Sequence, residues 1–287
     1  MTIDNPHAET IRKALDLLKE YTSNLDGWNL TQEKNGVKLY TKSDGSAFPI
    51  VRGETVLTGT SFTAGQVAAV ATSPGCRKVW DEKFDVAELK QVYSPNEILF
   101  WSKVKTPWPI SPRDMVGVSL RENPSDDIAY SVMSSVKDAS LPDVSGCVRS
   151  HLFISGWKLQ KTDAGVAISY ITQIDLAGSI PAAFLKSTQQ QIPLCAGSVA
   201  KFIKENGFPP IQQNCTAQLV NETFDYGKRE HVTHFDGQGS TQFFISSQMY
   251  PKGVKVTLTG NGSYAFEEDY VRVTGIDGPT TISIKRA

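Results

Sequence analysis

Apolar positions along this chain change their period several times, and each change marks an element. Within residues 5–21, Ile11, Ala14, Leu15, Leu18 and Tyr21 recur at spacings of three and four. That is the signature of an amphipathic helix, with Asn5 placed to cap it and Pro6 at its first position. The period then shortens to two over residues 28–33, 37–41 and 50–57, which predicts three strands. Asn35-Gly36 between the first two is a strong hairpin signal. Residues 62–71 read as a short helix, ended by Ser73-Pro74-Gly75.

Six more strands are predicted over residues 84–90, 98–105, 113–121, 128–136, 148–160 and 166–176, with turns at 123–127 and 163–165. The connection at 106–112 carries Pro107, Pro109 and Pro112, so it is neither strand nor helix interior. The longest helical pattern covers 181–206, with Pro181 suited to its start and Gly207 and Pro209-Pro210 to its end. Pro193 inside it predicts a kink or a break. Beyond 210 the pattern is all-β, with short strands expected at 216–220, 242–246, 254–259 and 281–285. The chain therefore divides into residues 1–210, an α+β domain, and residues 211–287, a β-rich extension of the β-sandwich kind.

Composition narrows the function classes. The 287 residues hold 29 Lys+Arg against 30 Asp+Glu, a formal charge of -1, so the bulk charge that accompanies nucleic-acid binding is absent. The last 77 residues are balanced as well, with seven basic and eight acidic side chains, which argues against a basic membrane-docking patch there. No apolar run reaches ~18 residues, the length of a membrane span. The first ten residues lack a secretory pattern, so the chain is expected to be soluble and cytoplasmic. Cys76, Cys147, Cys195 and Cys215 form no Cys-x-x-Cys pair and are expected to be free thiols. Sequons at Asn29, Asn214, Asn221 and Asn261 are then chance matches.

Catalytic and metal signals are weak. His231 and His234 sit three apart, which on a strand puts them on opposite faces, and no metal site is expected. His151 fits a satisfied strand residue better than a base. No phosphate-cradling glycine loop or nucleophile elbow exists, so neither a cofactor nor an enzyme activity is expected. The informative cluster is Arg77-Lys78-Val79-Trp80-Asp81. Arg77 and Asp81 share a face whether the segment is helical or extended. By spacing alone the pair reads as a surface ion pair or as a polar anchor beside an apolar pocket.

Taken together, Cys76 to Asp81, Phe100-Trp101, Pro107-Trp108-Pro109, Ser111-Pro112-Arg113-Asp114, Gly146-Cys147-Val148-Arg149 and Asp175 to Pro181, in this order of elements, resemble the START domain. The resemblance covers about residues 5–208 and is strongest to the phosphatidylcholine-transfer members. It implies a helix-grip fold, in which a curved antiparallel sheet wraps a long C-terminal helix around a cavity for one lipid. It places Arg77 and Asp81 at the lipid's polar end and Trp80, Phe100, Ser102, Met115, Tyr170 and Thr172 along the site. Val104, Ile168 and Ile174 are expected to line the same interior, and Gly117 and Gly156 are places where the sheet would bend. The family's choline cage would fall at Ser102, Met115 and Thr172, where no aromatic stands, and its sterol-type acid–arginine pair at Phe100 and Ser119.

The expected function is therefore a lipid-binding and lipid-transfer protein holding one amphiphile, phospholipid-like by preference, with transient membrane contact. One alternative is a lipid-gated scaffold whose partner binds residues 211–287. A sterol carrier, or a helix-grip enzyme of the aromatase/cyclase kind, is a remoter one.

Overall fold

In the computed structural model, residues 3–59 and 62–287 are described. The elements run α1 (Ala8–Tyr21), β1 (Asn29–Lys34), β2 (Val37–Lys42), β3 (Ile50–Thr58), α2 (Ala64–Thr72), α3 (Pro74–Trp80), β4 (Phe84–Ser94), β5 (Glu97–Val104), β6 (Arg113–Ser125), β7 (Ile128–Ser135), β8 (Val148–Arg149), β9 (His151–Thr162) and β10 (Gly165–Asp175). Then come α4 (Ala182–Gln191), a 3-10 turn (Ile192–Leu194), α5 (Cys195–Asn206), β11 (Ile211–Gln213), β12 (Gln218–Asp225), β13 (Glu230–Asp236), β14 (Gln238–Phe244), β15 (Val254–Thr259), β16 (Ser263–Glu267), β17 (Tyr270–Asp277) and β18 (Thr280–Arg286).

Ten strands form one sheet in the order β1-β2-β3-β10-β9-β7-β6-β5-β4, with β8 joined to β6. All pairs are antiparallel except β6–β8. The sheet's two faces differ in side-chain size. On one face Val116, Val118, Leu120, Val132, Ile154 and Ile171 pack against Ile11, Leu15 and Leu18 of α1. A Cβ on Gly156 would lie 2.6 Å from the Leu18 side chain, so the glycine lets α1 approach the sheet. The other face packs Leu39, Trp157, Leu159 and Ile168 against Val199, Phe202 and Ile203 of α5. Further along the same face, Ser102, Ser119, Ser131, Ser155 and Thr172 alternate with larger residues. Short hydroxyl side chains there leave room that aliphatic ones would fill.

Several expectations shift. The first helix starts at Ala8, and Asn5 makes a turn before it by accepting from the His7 amide at 2.9 Å. Ser73-Pro74-Gly75 starts a helix instead of only ending one: Ser73 accepts from the Cys76 amide and Pro74 takes the first position. β6 runs on through Pro124 to Ser125, beyond the expected turn. The predicted strand over 148–160 breaks at Ser150 into β8 and β9.

The break at Pro193 is real: a 3-10 turn divides α4 from α5. That turn rests on β3, where a Cβ on Gly53 would lie 2.0 Å from the Pro193 carbonyl oxygen. Gly53→Ala is expected to cost about 1–3 kcal/mol through overpacking. A thermal melt reads this directly.

After α5, two four-stranded sheets, β11-β14-β17-β16 and β12-β13-β18-β15, enclose a core of Phe235, Phe243, Val271, Val273, Ile282 and Ile284. His231 turns into this sandwich and is 1% exposed, while His234 turns outward to the Thr281 hydroxyl. The sandwich is not detached. Tyr250, Met249 and Phe208 belong to the same apolar cluster as Phe202 and Ile203 of α5. The Tyr226 hydroxyl donates to the Asn206 side chain at 2.6 Å. A Cβ on Gly75 of α3 would lie 2.0 Å from the Phe224 carbonyl oxygen of β12.

Candidate functional site

Between the hydroxyl-bearing face of the sheet and the helices α3, α4 and α5 lies a cavity of about 850 Å³. That volume sits in the upper part of the range of small-molecule sites, roughly 300–1,000 Å³. The eight residues expected at the site, Arg77, Trp80, Asp81, Phe100, Ser102, Met115, Tyr170 and Thr172, all line it. Val104 and Ile174 do so too, whereas Ile168 is fully buried in the α5 core. Gly117 keeps the wall open beside Phe100, because a Cβ on it would lie 2.9 Å from that ring.

Arg77 projects from the last turn of α3, and Asp81 caps that helix. The Arg77 Nε donates to the Asp81 carboxylate at 2.9 Å, and the Lys83 amide donates to its other oxygen at 3.1 Å. The guanidinium also lies 4.8 Å from the Phe84 ring centroid and 5.8 Å from that of Trp80. Its two Nη groups make no hydrogen bond among the described residues, yet they are not sealed off, so they are open to the cavity. Burial works against the Arg77 charge, and Asp81 outweighs it, so the pKa is raised. The pair is not a solvated surface bridge. It presents a fixed, doubly donating cation to the cavity beside the Phe84 and Trp80 rings, which suits an oxyanion or hydroxyl oxygen.

Around this pair the structure gathers Lys83, Cys195, Trp157 and Thr188, which the sequence does not single out for the site, together with the expected Tyr170. Lys83 lines the cavity, and burial pulls its pKa down. Cys195, at the start of α5, is pushed up to about 12 by burial, so it is a neutral thiol and not a nucleophile. Tyr170 is pushed up to about 12, again by burial first, and its hydroxyl meets that of Ser155 at 3.0 Å. Trp157 stacks on Tyr170 at 4.1 Å. Thr188 of α4 has a buried hydroxyl without a partner among the described residues. The available signal was parity: Ser119, Ser131 and Ser155 stand in step with Met115, Met133 and Trp157 along their strands.

Several motifs build the frame instead of the site. Asp114, 1% exposed, takes two bonds from Arg149 at 3.0 and 2.9 Å and one from the Trp101 indole at 2.9 Å. Arg113 donates to the carbonyls of Leu176 and Ala177 at 3.1 and 3.0 Å. These bonds tie the proline-rich 106–112 loop to the chain before α4. The loop and α4 flank the cavity, with Lys105 and Thr106 on one side and Phe184, Thr188 and Gln191 on the other. Trp108 at the loop's tip is 93% exposed.

Among the described residues there is no cluster of metal-ligating side chains, and no helix is long and apolar enough to cross a membrane. Comparison with known proteins agrees with this architecture. The model of the START domain family matches residues 9–205. An uncharacterized protein of Pseudomonas aeruginosa is 26% identical over 172 residues, which is 59% of this chain and 82% of that one. Human StAR-related lipid transfer protein 5 superposes with a TM-score of 0.62 at 21% identity, over 69% of this chain and 96% of its own. A STAR-related lipid transfer protein fragment from Xanthomonas axonopodis does so with a TM-score of 0.50 at 26% identity, over 62% and 97%. The family match ends before β11, and the sandwich lies outside it.

Proposed function

This chain belongs to the START domain family, and from that premise we propose that it carries lipid, holding one amphiphile at a time in the cavity between sheet and helices. The observation that carries the reading is the Arg77–Asp81 pair, with guanidinium donors left free in a cavity whose sheet wall alternates hydroxyl and apolar side chains. A phosphate or hydroxyl oxygen satisfies those donors, and the chain or ring portion of the lipid fills the remainder. Phospholipid is favoured because a phosphate offers the paired acceptors that a guanidinium binds best. Choline is not specified, since Ser102, Met115 and Thr172 provide no aromatic faces for a quaternary ammonium.

Carriage, not catalysis, is the activity that these groups support. Cys195 and Tyr170 are held protonated by burial, so neither stands ready as a nucleophile or a base. Moving a 16-carbon chain out of a bilayer costs on the order of 12 kcal/mol at ~0.8 kcal/mol per CH2, so an enclosed apolar cavity lowers a real barrier. The test is transfer of a fluorescent phospholipid between vesicles, together with mass spectrometry of lipid that co-purifies from eukaryotic cells. Transfer no faster than the spontaneous rate, with no co-purifying lipid, would refute the proposal.

Contact with the membrane is assigned to the 106–112 loop. Trp108 is almost wholly in solvent, where an indole gains nothing, and it stands beside the cavity end that α4 covers. Indoles partition to the bilayer interface. Trp108→Ala is expected to slow transfer and weaken vesicle association roughly tenfold, about 1.4 kcal/mol, while leaving lipid retention in solution unchanged. Equal transfer rates for the variant and the parent would remove the loop from the docking step.

A second reading, a lipid-gated scaffold, draws on the contact between Gly75 and Phe224. It puts the sandwich directly on the helix that holds Arg77.

A further inference from the structure

The cavity does not end inside the family domain. Its wall continues onto the sandwich, through Gln212 of β11, Leu219, Glu222 and Phe224 of β12, and His231 of β13. Facing them from the sheet are Ser119 and Arg121 of β6. Arg121 stands in step with Met115, Gly117 and Ser119, so it points to the same side of the strand as the residues lining the interior.

Glu222 is the charged centre of this end. One of its carboxylate oxygens bonds the His231 Nε2 at 2.9 Å, and the Nδ1 of that ring meets the Thr233 hydroxyl at 3.3 Å. The ring is wedged edge-on against Phe243, 5.5 Å away. The histidine is thus fixed from behind, and the carboxylate is held forward. Its side chain is 38% exposed and lines the cavity. Burial works to raise its pKa, but the His231 bond and the nearby charge of Arg121 outweigh that, and the net direction is down. The second carboxylate oxygen accepts no side-chain hydrogen bond among the described residues.

The Gln212 Nε2 is sealed from the cavity, so one donor shares the region. Arg121 forms no ion pair within 4.0 Å among the described residues, Glu222 included, although the two face the same space. A fixed acceptor and an uncommitted donor therefore share the cavity wall where the family domain meets the sandwich. An apolar chain end would displace water from both and leave them unsatisfied, which is costly for polar groups. A hydroxyl both donates and accepts, so it satisfies the acceptor and a donor together.

We propose that the sandwich completes the ligand site, and that Glu222, with Arg121 opposite it, binds a hydroxyl-bearing group of the lipid at the end of the cavity formed by β12. This rests on the carrier reading and adds the ligand's chemistry: a lipid carrying one or more free hydroxyls. A sterol-type alcohol and a glycerol or sugar head group both supply that chemistry. His231 is a positioning residue that acts through Glu222.

The test uses the full chain and equilibrium binding of four probes: monoolein, methyl oleate, cholesterol and cholesteryl methyl ether. Each pair shares its apolar body and differs in free hydroxyls. Wild type should prefer at least one hydroxyl member over its ether or ester partner, and which pair shows this identifies the source. Glu222→Leu should reduce that preference roughly tenfold or more, the cost of losing a hydrogen bond to a charged group, while methyl oleate binds as before. Glu222→Gln should give an intermediate loss, and His231→Gln should reduce the preference with the fold retained by circular dichroism. A merely structural role for Glu222 would lower affinity for all probes equally and would overturn the proposal. So would a Glu222→Leu preference equal to wild type, or wild type binding both members of each pair equally. Binding of none of the probes, with no vesicle-to-vesicle phospholipid transfer, would sink the carrier reading itself.

Discussion

A chain cut after Pro210 is expected to lose its cooperative fold, not to release an independent lipid-binding module. The stop signal at Gly207 and Pro209-Pro210 ends α5, but the apolar core does not stop there. Phe202, Phe208, Met249 and Tyr250 are 2%, 2%, 5% and 2% exposed, and they form one cluster drawn from both sides of the cut. Phe202 meets Tyr226 at 5.7 Å, and Phe208 meets Phe244 at 6.5 Å between ring centroids. Removing the sandwich lays bare Phe202, Phe208 and the Gly75 face of α3. Each large apolar side chain returned to water costs ~1.5–3 kcal/mol, and a few of them approach a typical total stability of ~5–15 kcal/mol. The Asn206 side chain also loses its tyrosine donor. Residues 1–210 should aggregate or melt without a sharp transition, whereas the full chain melts in one step. A soluble 1–210 fragment with a sharp melt and bound lipid would show that the two units are energetically separate.

Arg77→Leu should remove lipid retention and much of the stability together. The substitution deletes the cation whose free donors face the ligand, and it strands Asp81, whose side chain is 12% exposed. Breaking a buried pair by removing one partner costs about 3–5 kcal/mol, more than exposed bridges contribute. Ligand affinity should fall tenfold or more with loss of the charge-assisted bonds. The double variant Arg77→Leu/Asp81→Leu separates the two effects. It should recover most of the stability, since no lone charge remains, and recover none of the phosphate binding. Thermal melts and equilibrium binding of a fluorescent phosphatidylcholine on wild type and the two variants decide this. If folded Arg77→Leu binds as wild type does, the polar anchor lies elsewhere.

Much of the frame was legible because periodicity reports which face a residue turns inward. Ile11, Leu15 and Leu18 lie three and four apart, and they meet the sheet as that spacing demands. Asn35 and Gly36 both adopt positive φ, as a two-residue hairpin turn requires. Where two signals share residues, the reading fails: Ser73-Pro74 serves equally to end α2 and to begin α3. β11 and β16 were missed because they are short, β13 because two of its inward positions are the polar His231 and Thr233, and β17 because its inward Val271, Val273 and Ile276 break the period of two. The Arg77–Asp81 site was legible since both residues sit within one turn. Cys195 and Glu222 were not, because only packing between distant elements brings them to the same cavity.

The division at Pro193 separates two events that a continuous helix would merge. α5 is locked by Val199, Phe202 and Ile203, and the turn before it is seated on Gly53. α4 has no side-chain cap, and Thr188 is the one residue of it that is buried among those described. Little apolar burial resists its local opening, so that opening lies far below global unfolding in free energy. Ligand release and denaturation therefore run on separate barriers. Substitutions on the exposed side of α4 should alter the residence time of the lipid with no change in melting temperature. Amide exchange should be fast across 182–191 and slow across 195–206, within what the sequence writes as a single stretch of helix.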